Sequence, residues 1–258
     1  MAIYFDSIVF GPIRSRRLGS SLGINLLPLK GKICSFDCVY CECGWNSEGH
    51  SDNKTPTVEE VREALRSKLS ECHRNNIPVN SITFSGNGEP TLHPNFPEII
   101  DYTILLRDEL FPKAVISVLS NATMLGRPGV KEALRKIENP ILKLDGVDRD
   151  YVKLIDRPQN PNYNISEVIS HLEWFEGNFI LQTMFLRGVV EGVEVDSMRS
   201  DLLEGWQKMV LSLRPREVML YTIDRETPLS TLEKVSVEEM EQAAEPLKEA
   251  GIKIRISG

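Results

Sequence analysis

The sequence predicts an α/β fold: a parallel sheet of six strands, or seven, curved into an open, partial barrel. Three observations lead there. From residue 57 onward, stretches with apolar residues at helical spacing alternate with short runs rich in Val, Ile, Leu and Phe. Strands alternating with amphipathic helices imply right-handed crossovers and a parallel sheet. The strand-like runs are fewer than the eight that close a full barrel. A chain of 258 residues is long enough to bury one large core. No internal repeat, low-complexity stretch or linker divides it, so residues 1–258 read as one domain, with 1–22 as an N-terminal extension.

The elements follow in order. Ser7–Phe10 reads as a short strand of the extension, and the segment 23–33 as the first core strand. Thr57-Val-Glu-Glu60 is a capping box, after which Val58, Val61, Leu65 and Leu69 mark one helix face. Ser81–Phe84 is the second strand, closed by the turn Ser85-Gly-Asn-Gly-Glu-Pro90. A helix over 95–109 leads to the strand Ala114–Leu119, and Pro128 opens a third helix carrying Val130, Ala133, Leu134 and Ile137. Ile141–Leu144 is a strand, 165–176 a helix and Phe179–Phe185 a strand. Met198, Leu202, Trp206 and Met209 stripe a helix in the manner of core packing. Glu217–Tyr221 is the sixth strand. Ser236-Val-Glu-Glu239 is a second capping box with Met240, Ala243, Ala244 and Leu247 behind it, and Ile252–Ile256 is the seventh strand.

Composition narrows the function classes. Hydrophobic residues make up 41% and charged residues 26%, ordinary for a globular protein. The N-terminus shows no basic region followed by an apolar run, and no stretch approaches the roughly 18 apolar residues of a membrane span. The reading is a cytoplasmic protein without a membrane partner. A net charge of −7 argues against a dedicated nucleic-acid surface with its basic stripe. Arg14, Arg16 and Arg17 are a local exception. They are either a solvated face or a grip for an anionic group on a substrate.

Five cysteines are present, and three of them, Cys34, Cys38 and Cys41, share one short segment at C-x3-C-x2-C spacing with Tyr40 just before the third. An odd total argues against a complete disulfide framework. A structural zinc site wants four ligands, commonly in two pairs, and no second pair follows. An iron–sulfur cube also takes four ligands, and three closely spaced thiolates would leave one iron free for another molecule. Cys43 is a bystander near this segment, and Cys72 falls on a helix as a small packed residue.

In α/β barrels the chemistry sits where strands end. Gly86-Asn-Gly-Glu89-Pro follows the second strand, and its glycines let backbone approach a ligand closely. Ser120-Asn121, Asp145-Gly146, Gln182 and Tyr221-Thr222 close later strands. Ser120 and Asn121 would serve equally as turn or cap chemistry. His93 is nearest a motif but reads as structural.

The cysteine spacing with Tyr40 resembles the signature of the radical S-adenosylmethionine (SAM) superfamily. Ser15–Ile24, the cysteine segment, Gly86–Pro90, Asp156-Arg-Pro158, Gln182–Gly188 and Tyr221–Arg225 run in order. Together they are similar to a group of radical SAM "Fe–S oxidoreductases" described as relatives of the wyosine tRNA-modifying enzymes. The resemblance implies a (βα)6 TIM-like partial barrel and a [4Fe–4S] cluster on Cys34, Cys38 and Cys41. It implies SAM on the open iron, near Tyr40, held by Gly86, Asn87, Gly88 and Glu89. Ser120 and Asn121 would meet the ribose, Asp145 the ribose or substrate, and Tyr221 the adenine, with Gln182 pointing into the barrel. A low-potential donor of the flavodoxin or ferredoxin type would reduce the cluster, and SAM would yield a 5′-deoxyadenosyl radical that abstracts hydrogen. A small-molecule or nucleotide-like substrate with an anionic group, met by Arg14, Arg16 and Arg17, is the first reading. The alternatives are a modifier of tRNA or of a glycyl-radical partner enzyme, and a non-enzymatic cysteine-rich metal-binding protein.

Overall fold

The computed structural model describes residues 4–15, 19–48 and 54–258. In chain order the strands are β1 (Val9–Ser15), β2 (Gly19–Ile24), β3 (Ser81–Phe84), β4 (Val115–Ser120), β5 (Asn139–Lys143), β6 (Ile180–Met184), β7 (Leu186–Val190), β8 (Val193–Asp196), β9 (Glu217–Tyr221), β10 (Leu232–Lys234) and β11 (Lys253–Ser257). The α-helices are α1 (Val58–Arg74), α2 (Phe96–Leu110), α3 (Val130–Arg135), α4 (Arg149–Ile155), α5 (Ile165–Glu173), α6 (Ser200–Leu213) and α7 (Val237–Glu249). The main sheet has the order β1-β2-β3-β4-β5-β6-β9-β11. All neighbours from β2 to β11 pair in parallel, and β1 lies antiparallel on the β2 edge. With β1 and β11 at opposite ends of that order, the sheet stays open. A separate three-stranded antiparallel sheet, β10-β7-β8, follows β6.

Alternation along each strand divides the sheet into two unlike faces. Leu22, Ile24, Ile82, Phe84, Ile116, Val118, Leu142, Leu181, Val218 and Leu220 face outward into the helix layer, against the apolar stripes of α1, α2, α6 and α7. These side chains are fully or almost fully buried, each worth about 1.5–3 kcal/mol against exposure. The inner face is built differently. Ser21 Oγ and Thr83 Oγ1 lie 2.8 Å apart, Ser81 bonds Thr83 at 3.1 Å and Ser117 at 3.3 Å, and Asn139 donates to Ser117 at 3.1 Å. Beyond this row of hydroxyls the inner face carries a small apolar group of Ile141, Ile180 and Met219, with Leu119 against it.

Both capping boxes form as the sequence predicts, Thr57 with Glu60 and Ser236 with Glu239. The first core strand does not lie over 23–33. It occupies Gly19–Ile24, so most of it falls in the segment assigned to the N-terminal extension and only Gly23 and Ile24 in the expected one. Asn25 ends it: Nδ2 donates to Leu27 O (3.1 Å) and Oδ1 accepts from Leu27 N (3.2 Å), a local turn that the apolar run Ile24-Asn-Leu-Leu conceals. The strand expected at Ser7–Phe10 is shifted to Val9–Ser15 and carries an irregularity between Phe10 and Ile13. Four elements, α4, β7, β8 and β10, are absent from the sequence reading. Helix α4 has seven residues, too few to show periodicity, although Asp148 caps it by accepting from Tyr151 N at 2.8 Å. The hairpin β7–β8 turns at Glu191-Gly192, both at positive φ (52° and 80°); Glu in place of the usual Asn or Asp hid that turn. Strand β10 has three residues and completes its sheet.

Candidate active site

The cysteine segment leaves β2 and folds around a buried ammonium. Lys32 is 3% exposed, and its Nζ donates to Asp37 Oδ1 at 3.0 Å and to Gly44 O at 2.7 Å. Asp37 Oδ1 also accepts from Asn46 N (2.8 Å), and Asn46 Nδ2 donates to the carbonyls of Cys34 and Phe36, each at 3.1 Å. The loop docks on the end of α4: Val39 N donates to Ile155 O at 2.9 Å and Asp37 N to Asp156 O at 3.0 Å. All five cysteines are free thiols, with Cys38 and Cys72 buried and Cys34, Cys41 and Cys43 half-buried. Burial would lower the Lys32 pKa, but Cys41, Cys34 and Asp37 raise it to about 12.

Cys38 faces a second buried lysine. Lys143, from the end of β5, donates from Nζ to Cys38 Sγ at 3.0 Å, sits 3.2 Å from Asp145 Oδ2, and makes a closer ion pair with Asp156. The Tyr40 hydroxyl donates to Asp145, and Asp145 Oδ1 accepts from Met184 N at 2.9 Å. Lys143 Nζ also lies 4.8 Å from the Tyr40 ring centroid and 5.0 Å from that of Phe36, within cation–π range. Burial pushes Asp145 up to about 7 against the pull of Lys143. Burial opposes the charge on Lys143, but Asp145 and Asp156 outweigh it and hold the ammonium protonated.

The remaining thiols differ. Cys34 accepts from Asn121 Nδ2 at 3.5 Å, and burial with the nearby charge of Glu89 raises its pKa to about 12. Cys41 is held down to about 6 by a hydrogen bond from Cys43, helped by Lys32. The donor set suits one iron–sulfur cube: three thiols on one loop, two of them taking N–H···S bonds and two buried ammonium groups beside them. Among the described residues no three His, Cys, Asp or Glu side chains are placed to share one ion. A cube gives each thiolate its own iron.

The glycine loop after β3 is pressed against the cysteine segment. Ile33 and Gly88 form a parallel bridge, and a Cβ on Gly88 (φ 129°) would stand 1.9 Å from Ile33 O. A Cβ on Gly86 would meet Asn25 Oδ1 at 2.4 Å. The glycines are therefore required by chain packing on chain, before any ligand is considered. Asn87 is fully buried; its side chain accepts from Phe5 N and donates to the carbonyls of Phe5 and Pro28, all at 2.8 Å. The Glu89 carboxylate accepts from Ser120 Oγ (2.9 Å) and Asn121 N (2.6 Å), which ties the end of β3 to the end of β4. Asn121 then reaches the cysteine loop: Nδ2 donates to Ser35 Oγ at 2.9 Å and Oδ1 accepts from Thr123 Oγ1 at 2.8 Å. These polar side chains hold one another and the loop.

Tyr40, Cys41, Gln182 and Tyr221 come together on one cavity of about 420 Å³, with Cys43, Met184, Thr222 and Arg225. Asn87, Glu89, Ser120 and Asp145 do not line it; their side chains are spent on the contacts above. Arg14 is exposed on β1 and is not among the residues lining this cavity, while Arg16 and Arg17 lie outside the described residues. His93 is buried, with a ring nitrogen 2.8 Å from Pro56 O, and Cys72 belongs to the apolar core, both as expected. Sequence reasoning missed Lys32, Lys143, Asp156 and Arg225 as site residues. A lysine inside the apolar strand Ile141–Leu144 was a visible signal for Lys143. Asp156 and Arg225 stood in quoted motifs without a role. Arg225 pairs with Glu42 at 2.6 Å and so joins the segment after β9 to the end of the cysteine motif.

Comparison with known proteins gives the family and the fold. The sequence profile of the radical SAM superfamily matches residues 29–200. A UPF0026 protein of Helicobacter pylori is 29% identical over 221 residues, 84% of this chain and 67% of the relative. A UPF0026 protein of Synechocystis is 31% identical over 229 residues, 86% of this chain and 77% of the relative. A Brachyspira hyodysenteriae protein named GTPase Obg is 31% identical over 239 residues, 91% of this chain; the chain spans 32% of that longer protein. Among solved structures, SuiB of Streptococcus suis bound to S-adenosylmethionine superposes with a TM-score of 0.63 at 13% identity. That match covers 89% of this chain and 49% of SuiB. TYW1 with a lysine–pyruvate adduct superposes at 0.61 and 16% identity, over 90% of this chain and 75% of TYW1. These two likenesses are likenesses of fold.

Proposed function

The chain belongs to the radical SAM superfamily, and we propose that Cys34, Cys38 and Cys41 are the residues that hold its cluster. It is an enzyme of that superfamily, which uses a [4Fe–4S] cluster and SAM and needs a reductant. The non-enzymatic metal-binding alternative falls with that membership. When bound and reduced, the cluster supplies one electron to the sulfonium of SAM. The observation that carries the residue assignment is the loop itself: three thiols, with Lys143 donating to Cys38 and Asn121 to Cys34. Lys32 and Asn46 fix the shape of that loop from within.

SAM is assigned to the cavity of about 420 Å³ that Cys41 lines, with Gln182, Tyr221 and Thr222 among its polar neighbours and Glu42, Asp224 and Arg225 as its charged ones. That volume lies in the range of small-ligand pockets. Gly86, Gly88 and Glu89 act by setting the loop against the cysteine segment, and Asp145 by anchoring Tyr40. The substrate is read as a small molecule with an anionic group, and Arg14 is the described arginine that supports this. The reductant is read as a flavodoxin or ferredoxin. The location is read as cytoplasmic, a compartment that keeps thiols free; no helix among the described residues is long and apolar enough to cross a membrane.

Anaerobic reconstitution tests the assignment. About four irons and four sulfides per chain are expected, as for one cube, with 5′-deoxyadenosine and methionine formed from SAM on adding dithionite. Iron retained in full after Cys34, Cys38 and Cys41 are all changed to Ala would overturn it.

A further inference from the structure

A second cavity, of about 410 Å³, adjoins the first and shares Leu119, Gln182 and Arg225 with it. It lies on the inner face of the sheet, and it exists because of what that face is made of. A closed barrel fills its interior with Val, Ile and Leu. Here Ser21, Gly23, Thr83 and Ser85 line the side toward β2 and β3, and side chains this small leave the space unfilled. Ile141 and Met219 form an apolar wall opposite. Phe10 closes the β1 side. Its ring packs so close to β2 that a Cβ on Gly23 would meet it at 2.1 Å, and Phe5 stacks on it at 3.9 Å between centroids and 16° between planes.

The charges on this cavity are all of one sign. Arg14, from β1, and Arg225, from the segment after β9, are its two ionisable lining residues, with no carboxylate among the rest. Arg14 has no acidic partner among the described residues, and Arg225 is held by an exposed one, Glu42. Two guanidinium groups, one from the β1 edge and one from the segment after β9, brought to one cavity match a carboxylate or phosphate in geometry and charge.

We propose that this inner chamber is the substrate site, and that it takes a compact aromatic or hydrocarbon body bearing one carboxylate or phosphate. Arg14 and Arg225 bind the anionic end, and the body lies against Phe10, Ile141 and Met219. Glu42 keeps Arg225 over the chamber mouth and yields it to the incoming anion. Gln182 and Leu119, on the boundary between the two cavities, set the substrate next to the SAM cavity. The inference rests on the SAM assignment above for the identity of the neighbouring cavity.

The test is a saturation-transfer NMR titration of reconstituted, SAM-loaded protein with phenyl phosphate, benzoate, benzyl alcohol and inorganic phosphate. Phenyl phosphate or benzoate should bind more tightly than both benzyl alcohol and inorganic phosphate. Arg14→Met and Arg225→Met should each weaken that binding by about tenfold, the usual scale for a charged hydrogen bond. Both arginines and Glu42 are exposed, so none of these variants endangers the fold. Glu42→Gln should tighten binding by releasing Arg225. A ligand that senses both arginines must lie between them, which fixes the location. Unchanged affinity in Arg225→Met, or benzyl alcohol binding as well as phenyl phosphate, would overturn the chamber. Iron content and SAM cleavage are measured on the same samples, and their loss in the unmodified protein would count against the cluster assignment instead.

Discussion

Lys143 Nζ lies 3.0 Å from Cys38 Sγ, so the middle thiol of the cysteine motif carries an ammonium hydrogen bond from inside the sheet. The same ammonium is balanced by Asp145 and Asp156, whose side chains are 0% and 3% exposed. Tyr40 joins this group through Asp145, which ties the aromatic residue of the motif to the end of β5.

A positive donor at a cluster sulfur stabilises the added electron and raises the reduction potential. Lys143→Gln keeps an N–H donor but removes the charge. The midpoint potential of the reconstituted cluster, followed by electron paramagnetic resonance during a redox titration, should move to more negative values with iron content retained. Lys143→Arg should return it toward the original value. Removing the cation also leaves two buried carboxylates, at a cost of about 3–5 kcal/mol in stability, so the potential is read on the folded fraction.

Cys43 hydrogen-bonds to Cys41 yet stands outside the spaced motif. Cys43→Ala and Cys72→Ala should leave iron per chain nearly unchanged, whereas Cys41→Ala should lose most of it. Full loss of iron in Cys43→Ala would make it a ligand.

The contact of Gly88 with Ile33 O predicts that Gly88→Val harms the cluster as well as SAM binding. Iron content and SAM affinity should fall together. A variant that keeps all its iron and loses only SAM would restore the ligand-approach explanation.

Glu239 links a capping box to an ion pair: it accepts from Ser236 N at 3.0 Å and from Arg187 Nη2 at 2.8 Å. The hydrogen bond from Arg187 is the largest cause that holds its pKa down to about 2. A carboxyl depressed on folding contributes stability above its unfolded pKa and loses it as pH falls through the folded value. Glu239→Gln should therefore be less stable than the wild type by about 1 kcal/mol near neutrality, the scale of a helix cap. Urea unfolding should show this gap closing from about pH 5 down to about pH 2. A constant gap over that range would assign the loss to packing.

The sequence carries its strands and long helices openly because the outer face must bury apolar residues at a fixed period. Ser81–Phe84, Glu217–Tyr221 and both capping boxes were legible to the residue for that reason. The inner face obeys no such rule. Lys143 sits there among apolar neighbours, and its partners Asp156 and Cys38 lie 13 and 105 residues away in sequence. No local pattern announces a contact of that kind. The roles of Asn87, Ser120 and Glu89 were obscure for a related reason. Polar residues at a strand end look alike whether they meet a ligand or one another, and here their hydrogen bonds run to the chain.

The hydroxyl row on β2, β3 and β4 has a consequence for how such a protein changes over time. Stability resides in the outer layer, where Leu, Ile and Phe meet the helices. The inner residues are largely released from that duty. Replacing Thr83 or Ser117 by a residue of similar size alters what the interior can hold while leaving the helix layer untouched. Core substitutions usually risk the fold. A lineage built on this sheet is free to revise its specificity on one surface and to keep its architecture on the other.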